Sequence, residues 1–185
     1  IITSREALEL REIPARITIV GGGATGVEFA YLYNAYGSHV TVIEVLQNLL
    51  PNEDEEISTQ LERSFLRQGI NFHTSTKVTG AKLSKGCVSL EIDTLGDTTC
   101  VESDLVLVAA GVRPNTKGIG LEELGITMDR GFIQVNSSMQ TSVAGVYAIG
   151  DVTGKMLLAH VAQAQGVLAM ERIAGLEPLD LDYQV

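Results

Sequence analysis

Apolar positions along the chain fall into short β-rich runs separated by stretches of helical period, with glycines at most of the junctions. A polar, partly periodic lead-in reaches Glu12, and Pro14 divides it from residues 16–20, an apolar run ending in glycines that predicts the first buried strand. From Ala24 to Tyr36 the positions Val27, Ala30, Tyr31, Asn34 and Ala35 recur at helical spacing, and Gly37 stands where a left-handed turn would close a helix. Residues 39–44 supply the next strand. Residues 16–44 therefore predict a βαβ unit with parallel strands and a right-handed crossover.

After Pro51 the acids Glu53, Asp54, Glu55 and Glu56 open a second predicted helix, with Ile57, Leu61, Phe65 and Leu66 as its apolar face and Gly69 as its stop. Those acids read as dipole compensation on a solvated face. Residues 70–73 predict a third parallel strand. Residues 77–83, 87–92 and 98–101, broken at 84–86 and 95–97, predict an antiparallel meander. The continuous apolar run 105–110 has the length and β-branched content of a strand returning to the centre of the parallel sheet. Glycine and proline then interrupt the pattern at 111–115, where a domain boundary is expected. Short strands follow near 132–135 and 146–149, then a helix from about 159 to 174. The fold class is α/β: a parallel sheet of Rossmann type whose crossover is an antiparallel β-meander.

Composition narrows the partners. The chain has 185 residues, 45% of them hydrophobic, enough to bury a proper core. Its 23 acidic and 13 basic residues give a net charge of −10, which repels nucleic-acid phosphates and anionic lipid surfaces. Neither is expected as a partner. No apolar run approaches the roughly 20 residues that span a bilayer, and charges at Arg5, Glu6, Glu9, Arg11 and Glu12 replace a signal-peptide core, so the expected location is cytoplasmic. Cys87 and Cys100 match neither a redox nor a zinc spacing. His39, His73 and His160 lie far apart, so no metal site is expected.

The candidate chemistry sits at the first turn. Unpaired amides and a positive dipole end at a helix N-terminus can receive the two charges of a pyrophosphate. Gly21 permits the tight turn, Gly23 admits phosphate without a Cβ in the way, and Gly26 lets helix and strand pack closely. A glycine turn alone could be purely structural. Here it follows a predicted strand, opens a predicted helix, and is answered by Glu44 at the end of the second strand, where a carboxylate can accept both ribose hydroxyls. The alternative for Glu44 is a strand-end surface acid. A 2′-phosphate would meet like charge there and find no arginine in residues 45–47, so the expected nucleotide is NAD(H), not NADP(H).

Three segments, 19–28 (IVGGGATGVE), 109–115 (AAGVRPN) and 146–151 (VYAIGD), followed by 157–161 (LLAHV), resemble the flavin-dependent pyridine nucleotide-disulfide oxidoreductases, and within them the dihydrolipoamide dehydrogenase branch. The resemblance covers nearly the whole chain. It implies that the motif from Gly21 through Thr25 and Gly26 to Glu28 binds NAD, with Glu28 near the nicotinamide. Gly111, Arg113 and Pro114 would form a turn beside that site. Asp151 would accept a hydrogen bond from the ribityl chain of FAD, and the amides of Leu158 and Ala159 would face the isoalloxazine. As bare sequence, Gly150 and Asp151 could equally be a turn with a helix cap. Where some members carry a tyrosine over the flavin, this chain has Ala24.

The same resemblance marks what is missing: the closely spaced redox cysteines, an earlier glycine motif for FAD, and the interface domain with its catalytic histidine, a role His160 does not fill. The chain is therefore expected to comprise an NAD-binding domain (1–115) and an incomplete returning part of the FAD-binding domain (116–185), to bind nucleotide, and to have no catalytic residues of its own. FAD is expected in the parent protein only, as is a homodimer able to join a multienzyme complex. The alternatives are a fragment of an NADH oxidase or of a ferredoxin or mercuric reductase, or a standalone nucleotide-binding interaction module. Strands near Phe132 and Val146 would lack sheet partners, which invites pairing between copies.

Overall fold

A computed structural model describes residues 1–84 and 86–183. The chain divides into two compact units, Ile1–Val112 and Arg113–Val185. No helix among the described residues is long and apolar enough to cross a membrane.

The first unit is built on five parallel strands in the order β1-β8-β2-β3-β4. These are β1 (Ile2–Thr3), β2 (Arg16–Val20), β3 (His39–Ile43), β4 (Asn71–His73) and β8 (Leu105–Val108). Alternation decides what each face meets. Ile17, Ile19, Val40, Val42 and Leu107 join a core with Val27, Phe29, Ala30 and Tyr33 of α2 (Ala24–Ala35) and Phe65 of α3 (Glu55–Gln68). On the other face Ile43, Val106 and Val20 pack with Val88, Leu90 and Ile92. That second layer is the antiparallel meander β5 (Thr76–Ser84), β6 (Cys87–Thr94) and β7 (Asp97–Ser103), a separate sheet in the order β5-β6-β7. Helices, parallel sheet and meander thus form three layers, the α/β fold expected from the pattern. Lys85, in the break expected at 84–86, lies outside the described residues.

One expectation is refined and two are corrected. The polar, partly periodic lead-in holds two short elements: β1 pairs with β8, and α1 (Ser4–Leu8) follows it, with the Thr3 amide donating to the Glu6 carboxylate at 2.8 Å. β8 is an interior strand because β1 covers it. The inward stripe of α3 is Ser58, Leu61, Glu62 and Phe65, whereas Ile57 and Leu66 are exposed. A spacing of three, four and seven from Ser58 keeps those four side chains on one face, and Ile57 falls outside it. Residues 146–149 form no strand; only a single bridge joins Tyr147 to Gln140.

In the second unit a hairpin, β9 (Met128–Asp129) with β10 (Phe132–Ile133), carries a small core of Leu121, Ile126 and Ile133. A 3-10 turn (Gly150–Thr153) precedes α4 (Ala159–Ile173), whose Leu168 and Ala169 are buried with Met139, while Val167, Met170 and Ile173 are exposed.

Candidate functional site

The C-terminal ends of β2, β3 and β8 converge on the turn at residues 21–23. Gly21 has φ +112°, and a Cβ there would lie 2.5 Å from the Ala109 carbonyl oxygen, so neither backbone nor space tolerates a side chain. A Cβ on Gly26 would land on the Gly21 carbonyl oxygen, which explains how closely α2 rests on the turn. A Cβ on Gly22 would meet Leu49 Cδ2 at 2.6 Å and Glu44 Cβ at 3.1 Å. Gly23 differs from all three. Its backbone is extended, with φ −75° and ψ −176°, and a Cβ there would meet nothing within 4 Å. The protein's own packing demands glycine at 21 and 26, where a Cβ would strike backbone, and crowds position 22 with the Leu49 and Glu44 side chains, but leaves 23 open.

Gly23 is also the N-cap of α2, and no acid occupies the first turn of that helix. The first intrahelical bond in α2 runs from the Val27 amide to the Gly23 carbonyl at 3.0 Å, which leaves the amides before Val27 without a helical partner. Thr25, half-buried, lies in this first turn; Glu28, exposed, follows one turn along. Gly111, with φ +86°, lies two residues beyond Ala109, whose carbonyl abuts Gly21.

Glu44 follows directly after β3 and is only 6% exposed. Its carboxylate is not left bare. The Gly22 amide donates to Oε2 at 2.6 Å and the Leu46 amide donates to Oε1 at 2.8 Å. A carboxylate has about four acceptor positions, so two remain for hydroxyl donors. An open, dipole-positive helix end, a side-chain-free approach at Gly23 and an oriented carboxylate can together hold a diphosphate and the sugar beside it. These residues fit NAD(H) through the cradle that a Cβ at Gly23 would fill.

In the second unit Asp151 is exposed within the 3-10 turn. Leu158 is the extended N-cap of α4 and Ala159 its first residue, both exposed. Gly150, with φ +75°, donates its amide to Gln165 Oε1 at 2.6 Å, and Gln165, fully buried, donates from Nε2 to the Tyr183 hydroxyl at 3.0 Å. That arrangement holds the backbone of the turn carrying Asp151, and an exposed carboxylate near a helix N-terminus without a side-chain cap fits a polyhydroxylated chain and an electron-rich ring edge. Arg113 and Pro114 begin this second unit.

Sequence reasoning missed Gly22, the Leu46 amide, Ala109, Glu62 and Gln165. The unbroken glycines 21–23 hint at Gly22, and Ala109 opens the AAGVRPN segment without a role of its own; no sequence signal marks the others. Cys87 and Cys100 are free thiols on β6 and β7. Among the described residues no group of three or more His, Cys, Asp or Glu side chains is placed to hold a metal ion.

The model of the pyridine nucleotide-disulphide oxidoreductase family matches residues 1–166. Dihydrolipoyl dehydrogenase from Chlorobaculum tepidum is 45% identical over 179 residues, 96% of this chain and 38% of that protein. Its counterpart from Bacillus subtilis is 42% identical, across 98% of this chain and 39% of its own length. The crystal structure of LpdA from Mycobacterium tuberculosis aligns with a TM-score of 0.89 at 33% identity, over 98% of this chain and 39% of LpdA. The HOCl-induced flavoprotein disulfide reductase RclA from Escherichia coli aligns at 0.87 with 26% identity, over 97% of this chain and 41% of RclA. The chain thus spans about two fifths of these relatives.

Proposed function

This chain belongs to the pyridine nucleotide-disulphide oxidoreductase family, and from that premise we propose that its first unit binds NAD(H) and its second contributes to a flavin site. The proposed domain limits are 1–115 for the NAD-binding domain and 116–185 for the returning part of the FAD-binding domain. The parent activity proposed is that of a flavin-dependent dihydrolipoyl dehydrogenase, supported by the likeness to proteins of that name. The parent is further proposed to be a homodimer able to serve a multienzyme complex, in the cytoplasm, where the unpaired thiols Cys87 and Cys100 are stable.

One observation carries the nucleotide reading: of four glycines at the turn, Gly23 alone has no steric partner in the protein, and it caps a helix without acids of its own. In this reading the amides of Ala24, Thr25 and Gly26 bind the pyrophosphate, and Glu44 accepts the ribose hydroxyls. Thr25 and Glu28 line the path toward the nicotinamide, and Gly111 leaves it open on the β8 side. NAD and FAD supply hydride and electron transfer when bound; Asp151 and the amides of Leu158 and Ala159 are the residues proposed to hold the flavin. Cys87 and Cys100 are not a redox pair, since in the β6–β7 register Cys100 faces Glu91 and Cys87 lies beyond Val88. The residues of this chain are accordingly proposed to bind nucleotide without turnover.

Calorimetry with NADH and NADPH tests the proposal. Saturable NADH binding at least tenfold tighter than NADPH is expected, with no NADH-dependent reduction of lipoamide. Equal affinity for the two, or no binding of NADH, contradicts it.

A further inference from the structure

The carboxylate of Glu44 is aimed by backbone amides, and those amides are themselves held in place. Leu46, whose amide meets Oε1, is anchored on its carbonyl side by the Ser75 amide at 2.7 Å. Gly22, whose amide meets Oε2, is held by a longer route. Its carbonyl accepts the Leu50 amide at 2.8 Å, and its Cα faces the Leu49 side chain, which is fully buried. Leu50 sits at φ +50°, a conformation an L-residue keeps only when its neighbours are fixed. They are fixed by α3 and by the turn before it: the Leu49 amide donates to Glu62 Oε1 at 3.0 Å, while the Leu50 carbonyl accepts the Glu53 amide at 2.9 Å and the Ser58 hydroxyl at 3.3 Å.

We infer that Glu62, half-buried on the inward stripe of α3, is a positioning residue that sets the preference for a free ribose 2′-hydroxyl. It acts through Leu49, Leu50 and Gly22 on the direction of the Glu44 carboxylate, and it rests on the reading of this turn as the NAD(H) site. Among the described residues Glu62 hydrogen-bonds the Leu49 amide and not the glycine turn itself. Removing its oxygen frees the Leu49 amide, loosens the strained Leu50 and lets Gly22 drift from Oε2. A carboxylate free to turn still repels a 2′-phosphate less sharply and grips two hydroxyls less well. The amides that receive the pyrophosphate are unaffected, so nucleotide binding persists while selectivity declines.

Titration of the whole chain with NADH and with NADPH, alongside thermal unfolding, tests the inference. Glu62→Ala is expected to cut the NADH-to-NADPH affinity ratio roughly fivefold, the worth of about one hydrogen bond. Glu62→Gln, which keeps an acceptor oxygen, restores the ratio to within about twofold. Glu62→Asp retains the charge but shortens the reach and lowers the ratio; it reads the same effect should the alanine variant fail to fold. An unchanged ratio in a folded Glu62→Ala or Glu62→Asp overturns the positioning role. A wild-type chain that binds no NADH overturns the nucleotide reading itself, a result distinguishable because it needs no variant.

Discussion

Helices α2 and α3 belong to one unit, run for 12 and 14 residues, and are each followed by a left-handed glycine, Gly37 and Gly69, yet they begin in opposite ways. α3 opens on Asp54 with Glu55 and Glu56 in its first turn, so the positive end of its dipole faces its own carboxylates. α2 opens on Gly23, has no acid in its first turn, and starts where β2 ends beside the carboxylate of Glu44. A helix that carries its own anions gains little from a bound one. A helix stripped of them, at a turn where one glycine has no internal reason to be glycine, keeps its amides for a ligand. The difference between the two helix starts is the physical content of the nucleotide proposal.

The largest expected effect breaks α2 itself. Gly26→Val forces a side chain onto the Gly21 carbonyl and should cost about 3 kcal/mol of stability, with NADH binding lost, as read by chemical denaturation and calorimetry. Gly23→Val separates the fold from the ligand. A Cβ there meets nothing within 4 Å, so stability should fall by no more than about 1 kcal/mol, the cost of a poor N-cap, while NADH affinity drops about thirtyfold. Undiminished binding by that variant would remove the special status of Gly23. Glu44→Ala should weaken NADH about tenfold and narrow the preference over NADPH by a similar factor, since a charged acceptor of hydroxyl donors is lost.

The matching change in α3, Glu55→Gln with Glu56→Gln, should lower stability by only about 0.5 kcal/mol and leave NADH affinity unaltered. Smallest of all is an effect away from both helices. A hydrogen bond from the Arg16 guanidinium, at 2.8 Å, holds the Asp104 carboxyl below its ordinary value. A carboxylate with a depressed folded-state pKa adds stability above its unfolded pKa and loses it as pH falls through the folded one. Stability should therefore decline slightly below the usual aspartate range, and Asp104→Asn should flatten that part of the profile in acid titrations followed by circular dichroism.

How much of this was legible in the sequence follows from range. The βαβ unit, the meander and the glycine turn are written in local periodicity, so residues 16–44 and the β5–β7 layer were read close to their true bounds. β1 was not, because two residues whose strand character comes from pairing with β8 leave no periodic trace. Residues 146–149 looked like a strand because Val146, Tyr147 and Ile149 favour extended backbone, but with one bridge to Gln140 they never acquire a ladder. Apolar identity points Ile57 and Leu66 inward, but angular position decides, and Ser58 and Glu62 hold the inward places instead. At the site, the glycines and Glu44 could be named from motif spacing. The supports at Gly22, Leu46, Glu62 and Gln165 could not, since each acts through a hydrogen bond made only once the chain is folded.

The comparison of helix starts can be put to one residue-resolved test: amide ¹⁵N–¹H spectra of the chain titrated with NADH. Saturating shifts are expected at Gly22, Ala24, Thr25, Gly26 and Leu46, at one common affinity, with the amides of Glu55, Glu56 and Ile57 unmoved. Shifts centred on the start of α3, or none at the start of α2 while NADH is demonstrably bound, would contradict it.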